Sequence, residues 1–257
     1  MSITRLALKL AAPLPRLEKM QRFLFIGPHP DDIEIGAGAT AAKLAANGKA
    51  VCFLICIDGR YGDANAPVGI TPEALAELRK KEAVSSAAAL GVRDVRFLGL
   101  TDGGFYDSSD LMRGIMRVIG EFKPDAIFAP DPCVSSECHI DHINVGEAAR
   151  RAAYLAPYKA IMDRYGAGSA PVKALAYYMT AKANQFIKTT GYVDKQLSAI
   201  FDCHMSQFPE GSPDAKSISQ YIKLRATDFG LRSLKGQAEG FRVLGVTQMH
   251  CLPEAGR

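Results

Sequence analysis

The chain has 257 residues, 48% of them hydrophobic and 23% charged, which supplies a full apolar core and excludes a disordered or fibrous polymer. A net charge of +4, with no Lys/Arg block longer than three residues, removes the basic footprint of a nucleic-acid partner. Six cysteines without a CxxC pair, and no apolar run of transmembrane length, predict a protein of a reducing, cytoplasmic compartment without a membrane span.

The opening segment, MSITRLALKLAAPLPRLEKM, is cationic and mildly apolar. Arg5, Lys9 and two prolines interrupt it too early for a signal peptide, so it predicts a short amphipathic helix packed on the body or on a neighbouring subunit. Four β-rich runs follow: RFLFIG (22–27), AVCFLICI (50–57), VRFLGL (95–100) and DAIFAP (125–130). Each is almost continuously apolar, the pattern of strands buried on both faces of a parallel sheet. Between them lie helical patterns at 38–47, 72–90 and 110–122, and a fourth runs from about 144 to 154. Gly48, Gly91 and Pro124 stand just past helix ends, where the chain must reverse.

Beyond Tyr154 turn residues mix with a strand near 173–179, a second at 186–193, and helices near 194–204 and 215–235. The alternation predicts an α/β fold: a Rossmann-like three-layer sandwich with a mostly parallel sheet of order 3-2-1-4-5. Residues 1–257 read as one domain, with a core over about 22–180 and a C-terminal extension over about 181–257 that contributes to the pocket and to an oligomer.

The chemistry gathers in two places. FIGPHPDDIEIGAGAT (25–40) ends the first strand with two adjacent aspartates, whose repulsion costs stability unless a cation or a proton offsets it. PDPCVSSECHIDHINVGEAARRAA follows the fourth strand. In the order 3-2-1-4-5 strands one and four are neighbours, and the crevice beyond their carboxyl ends brings the two groups together. His29, Asp32 and His142 then form a ligand set for Zn²⁺ with one position open to water. Fe²⁺, Mn²⁺ or Co²⁺ would be accepted by the same donors. Asp31 is left beside the metal as a base for that water, with Glu34 and the following glycines supporting the loop and starting the helix. Cys133 and Cys138 flank the second group, but the three harder ligands already complete the set.

PHPDDIEIGAG and HIDH resemble the two signature motifs of the PIG-L/LmbE-like de-N-acetylases, and RKKEAVSSAAALGV resembles the helix between them. FLGLTDGGF, FKPDAIFAPDP and CHMSQF extend the similarity from about Arg22 to His250, closest to the diacetylchitobiose and N-acetylglucosamine deacetylase branch. The resemblance implies a zinc-dependent N-deacetylase, a hydrolase of a linear amide, acting on an N-acetylated amino sugar. It makes His29, Asp32 and His142 the metal ligands and Asp31 the general base. It sets His139 over the oxyanion or beside the leaving amine, with Asp141 stabilising its charged form. Arg79 and Asp102 fall at sugar-binding positions, and His250 falls where that branch reaches into a neighbouring subunit, implying a hexamer built as a dimer of trimers. Two departures stand out. Ile140 replaces the usual proline of the second motif, and no tyrosine stands two residues before His139, so His139 or Arg60 must serve as oxyanion donor.

Two other readings use the same residues. Two histidines and one carboxylate also form the triad of non-haem Fe(II) oxygenases, although the spacing here is His-x-x-Asp on a βαβ pattern. A non-catalytic nucleotide- or sugar-binding module is the third, but the glycines are not in G-x-G-x-x-G order. His204 either lines the pocket or only braces the extension.

Overall fold

The computed structural model describes residues 10–250 and 252. Of the first twenty residues, over which a helix is expected, 1–9 lie outside them; within them Leu10 and Ala11 are helical and Leu17–Lys19 makes a single 3-10 turn with Leu17 buried. The strands are β1 (Arg22–Gly27), β2 (Ala50–Ile57), β3 (Asp94–Leu100), β4 (Ala126–Pro130), β5 (Ala174–Tyr178), β6 (Gln185–Lys188) and β7 (Ala238–Gly245). They form one sheet in the order β3-β2-β1-β4-β5-β7-β6. The first five are parallel, in the 3-2-1-4-5 order the sequence predicts. β7 runs antiparallel to β5, and β6 antiparallel to β7, so the C-terminal residues prolong the same sheet.

Alternation along β1 divides the core. Phe23 and Phe25 point to one face with Phe53, Phe128 and Phe241, while Leu24 and Ile26 point to the other with Ile115, Ile119 and Val145. Phe25 and Phe128 stack across the β1–β4 pair with ring centroids 4.3 Å apart. Helices α1 (Asp32–Ala46) and α2 (Pro72–Leu90) cover the first face, and α3 (Ser108–Phe122) and α4 (Ile140–Leu155) the second. After the short α5 (Lys159–Arg164), α6 (Val193–Phe201) crosses α1 and α2, and α7 (Pro213–Ser233) packs on β7.

Local chemistry sets the helix ends. The Thr71 hydroxyl accepts the Ala74 N–H at 3.3 Å ahead of Pro72, and α2 stops at Gly91, whose φ of +88° a glycine adopts without cost. α1 and α4 begin at Asp32 and Ile140, several residues earlier than their apolar periodicity suggests. In both, the added first turn carries polar residues that an apolar pattern does not register. β7 and α5 are absent from the sequence reading. β7 hides because Glu239 and Arg242 interrupt its apolar run, yet all eight of its residues are buried. Among the described residues no helix is long and apolar enough to cross a membrane.

Candidate metal centre

Connections at the carboxyl ends of four parallel strands meet above the β1–β4 boundary. His29 and Asp31 leave β1 and Asp32 opens α1; Arg60 and Tyr61 follow β2, Asp102 follows β3, and Glu137, His139, Asp141 and His142 follow β4. α1 and α4 depart to opposite faces, which opens the crevice in which these residues face one another.

His29 Nδ1 lies 3.3 Å from Asp32 Oδ2, and His142 Nε2 lies 3.4 Å from the same oxygen. The ligating atoms of the three residues fall within 4.8 Å of one another. The other nitrogen of each ring is held from behind. His29 Nε2 is 3.2 Å from both Asp102 Oδ1 and Asp141 Oδ2, and His142 Nδ1 is 3.1 Å from Glu137 Oε2. His29 Nδ1 and His142 Nε2 are therefore the nitrogens left to face Asp32. Two imidazoles and a carboxylate converging on one point, each ring braced by a carboxylate, fit a catalytic divalent cation. His29, Asp102, His139 and Asp141 form a second group of similar closeness. Its carboxylates are already engaged: Asp141 accepts the Gly103 and Gly104 N–H groups at 2.8 and 2.9 Å, and Asp102 accepts that of Tyr61 at 3.1 Å. Among the described residues neither group includes a cysteine, and Cys133 and Cys138 are exposed.

The electrostatics favour positive charge at this point. Burial opposes ionisation of Asp32, but His142 and His29 outweigh it and hold its pKa well below the usual carboxylate range. Burial likewise opposes protonation of His142, and Asp32 reverses the balance, pushing the ring up to about 9.

Asp31 has a φ of +125°, rare for a residue with a side chain and costing about 1–3 kcal/mol. With that backbone its carboxylate meets Arg79, whose Nη2 is 3.2 Å away. Arg79 is itself fixed by the carbonyls of Gly59 at 2.8 Å and Pro30 at 3.0 Å. Gly59 must be glycine here: its φ is +70°, and a Cβ would lie 2.4 Å from the guanidinium. Burial pushes Asp31 up to about 6, against the pull of Arg79, which places it in the range of a base working near neutrality.

His139 caps α4, its Nδ1 accepting the Asp141 N–H at 3.3 Å, which assigns the proton to Nε2. Its ring stacks on His142 with centroids 4.9 Å apart and meets His29 edge-on at 4.8 Å. Burial and these two neighbours lower its pKa. The Asp141 carboxylate stays 3.9 Å from His139 Nδ1 and is directed at His29 and the two glycine amides.

The remaining predicted residues are distributed as follows. Arg79 and Asp102 are buried against Asp31 and His29. Arg60 is paired with Asp58 at 2.7 Å and Glu73 at 3.3 Å. His250 packs on Tyr154, with ring centroids 5.3 Å apart. Tyr154 is twelve residues along α4 from His142, about 18 Å down the helix, so His250 does not reach its own chain's centre. His204 is fully buried with Nε2 3.4 Å from Glu34 Oε1, which also accepts the Ser86 hydroxyl; it braces the extension against α1. Gly36 lies inside α1, where a Cβ would come 2.3 Å from the Tyr178 ring, so close packing rather than a phosphate loop explains it. Glu137 is absent from the sequence reading, although its place two residues before His139 is the one signal that marks it. Tyr61 and Phe105 stand exposed beside the centre, edge to face at 6.2 Å.

Comparison with known proteins points the same way. Residues 24–153 match the family described as PIG-L: GlcNAc-PI de-N-acetylase. The chain is 31% identical over 258 aligned positions to the diacetylchitobiose deacetylase of Thermococcus kodakarensis, covering 98% of this chain and 93% of that one. It is 33% identical to the 1D-myo-inositol 2-acetamido-2-deoxy-alpha-D-glucopyranoside deacetylase of Kineococcus radiotolerans, over 56% of this chain and 48% of that one. Among solved structures, the N,N'-diacetylchitobiose deacetylase of Pyrococcus horikoshii with its inhibitor MPG superposes with a TM-score of 0.87 at 27% identity, covering 98% and 97% of the two chains.

Proposed function

The chain belongs to the PIG-L family, and from that premise we propose that it is a zinc-dependent hydrolase that removes the acetyl group from an N-acetylated amino sugar, N-acetylglucosamine or a chitooligosaccharide conjugate. The observation that carries the reading is Asp31, a buried carboxylate next in the chain to Asp32, one of the three convergent residues His29, Asp32 and His142. Similarity over nearly the whole chain to diacetylchitobiose deacetylases supports the substrate class.

His29, Asp32 and His142 would hold the cation, which supplies Lewis acidity toward the amide carbonyl and lowers the pKa of water. Asp31 takes the proton of the attacking water as its oxygen bonds to the carbonyl carbon. His139, with its proton on the outward Nε2, donates a hydrogen bond to the developing oxyanion; Arg60 is the second donor to be tested there. When the carbon–nitrogen bond breaks, Asp31 gives the leaving amine the proton it took from water, and acetate and the free amino sugar result. Arg79 holds Asp31 in line, and Asp102 and Asp141 hold His29. The sugar ring, with an apolar C–H face, lies against Tyr61 and Phe105. His250 serves the site of a neighbouring subunit within a hexamer, in the cytoplasm.

The test is release of free amine from a panel of N-acetyl sugars by the purified protein, with and without chelator, beside the Asp31→Asn variant. We expect the variant to keep its metal and lose about 100- to 10,000-fold in kcat. Wild-type turnover in that variant would overturn the mechanism, and loss of turnover only in the absence of dioxygen would favour oxygenase chemistry.

A further inference from the structure

Glu137 precedes α4 and uses its two oxygens differently. Oε1 accepts the backbone N–H of His139 at 2.9 Å, and Oε2 lies 3.1 Å from His142 Nδ1. The first bond ties the carboxylate to the residue that caps the helix. The second occupies the nitrogen of His142 that faces away from Asp32. An imidazole that donates its Nδ1–H keeps its lone pair on Nε2, and Nε2 is the atom 3.4 Å from Asp32 Oδ2. Serving the start of α4 would need only one of the two oxygens. The second oxygen reaches forward over five residues to a ring that stands in the crevice.

The other imidazole of the cluster is braced in the same way, since His29 Nε2 meets Asp102 and Asp141. Those two carboxylates are fixed by amides of the loops after β2 and β3. Among the described residues, Glu137 is the only carboxylate that pairs with Nδ1 of His142, and it belongs to that ring's own connection. Position 137 stands two residues before His139, where the family resemblance leads one to look for a tyrosine hydroxyl over the substrate. A carboxylate there accepts where a phenol would donate, and its contacts run behind His142 rather than over the open side of the centre.

We propose that Glu137 is a positioning residue that fixes the tautomer and orientation of His142 for cation binding. The inference rests on the metal-site reading given under the proposed function. It predicts an ordered series at one position. Glu137→Gln keeps an oxygen able to accept from Nδ1–H and loses the charge; Glu137→Ala loses both.

The experiment strips wild type and both variants of metal, titrates each with Zn²⁺ against a chromophoric chelator, and records the visible spectrum after loading with Co²⁺. Circular dichroism and thermal melts establish that each variant is folded. The expected result is a loss of Zn²⁺ affinity of about 10- to 100-fold for Glu137→Ala and a smaller loss for Glu137→Gln. The Co²⁺ band shifts in the same order, and kcat at saturating metal falls while KM for the acetylated sugar stays within about twofold. A role confined to the start of α4 would lower the melting temperature and leave Zn²⁺ affinity and the Co²⁺ spectrum at wild-type values, and that outcome overturns the proposal. Failure of the wild-type chain itself to bind Zn²⁺ or Co²⁺ would instead overturn the metal-site reading on which it rests.

Discussion

Arg79 Nη2 and Asp31 Oδ2 lie 3.2 Å apart, joining the inner face of α2 to the connection after β1, and both side chains are at least nine-tenths buried. The pair explains how a strained aspartate beside a second aspartate is tolerated. Replacing Arg79 by Met removes the cation and frees the carbonyls of Gly59 and Pro30 at once. A buried charge left without its partner costs about 3–5 kcal/mol, so denaturant unfolding should show a loss of that order. Removing the guanidinium also raises the proton affinity of Asp31, so the acid limb of the kcat/KM profile should move to higher pH. An unshifted limb would show that Arg79 is structural only.

Metal removal is expected to affect stability as well as activity. A cation bound by the folded chain alone stabilises it by RT ln(1 + [L]/Kd), about 2.7 kcal/mol at one hundred times Kd. Zn²⁺ added to stripped protein should raise the unfolding free energy by that order, and Asp32→Ala should abolish the increment because Asp32 Oδ2 is the atom both rings face. An equal increment in the variant would place the ion elsewhere.

Phe105 is 73% exposed, so its truncation removes little buried area and should leave the melting temperature nearly unchanged. If Phe105 and Tyr61 form the wall for the sugar ring, Phe105→Ala raises KM for an acetylated disaccharide several-fold with kcat largely retained. A fall in kcat at unchanged KM would move Phe105 from substrate binding to the chemistry.

The layout was legible because strands buried on both faces leave continuous apolar runs, and the order of β1 to β5 follows from the crossover rules once those runs are seen. The same order brings His29, Asp32 and His142 into one crevice across more than one hundred residues of chain. Hydrogen-bond detail was not legible. Arg79 and Glu82 sit three apart on α2 and read equally well as a solvated pair, whereas folding buries Arg79 on Asp31 and Glu82 on Ser206. Asp141 reads as the partner of His139, but the glycine amides of residues 103 and 104 turn it toward His29. β7 was missed for a related reason: its polar residues are paired in three dimensions, and no periodicity announces a buried carboxylate.

That carboxylate, Glu239, gives a pH dependence separate from the candidate metal centre. α1 kinks at Ala37, and past the kink Glu239 accepts the N–H groups of Ala39 and Thr40 at 3.2 and 2.7 Å. Burial pushes its pKa from 4.5 to about 7, while those amides and Arg225 of α7 pull the other way. An acid whose pKa is raised on folding binds more protons in the folded than in the unfolded state between the two values. Its contribution to stability is therefore fully present below about 4.5 and is lost as pH rises through about 7. The loss is on the order of 3 kcal/mol across that window. Glu239→Gln, neutral at every pH, should lack this term, so its stability relative to wild type should rise between pH 4.5 and pH 8 by a comparable amount in chemical denaturation. Parallel stability curves for the two proteins would mean that Glu239 titrates alike in the folded and unfolded chain, and that the amides past the kink offset its burial in full.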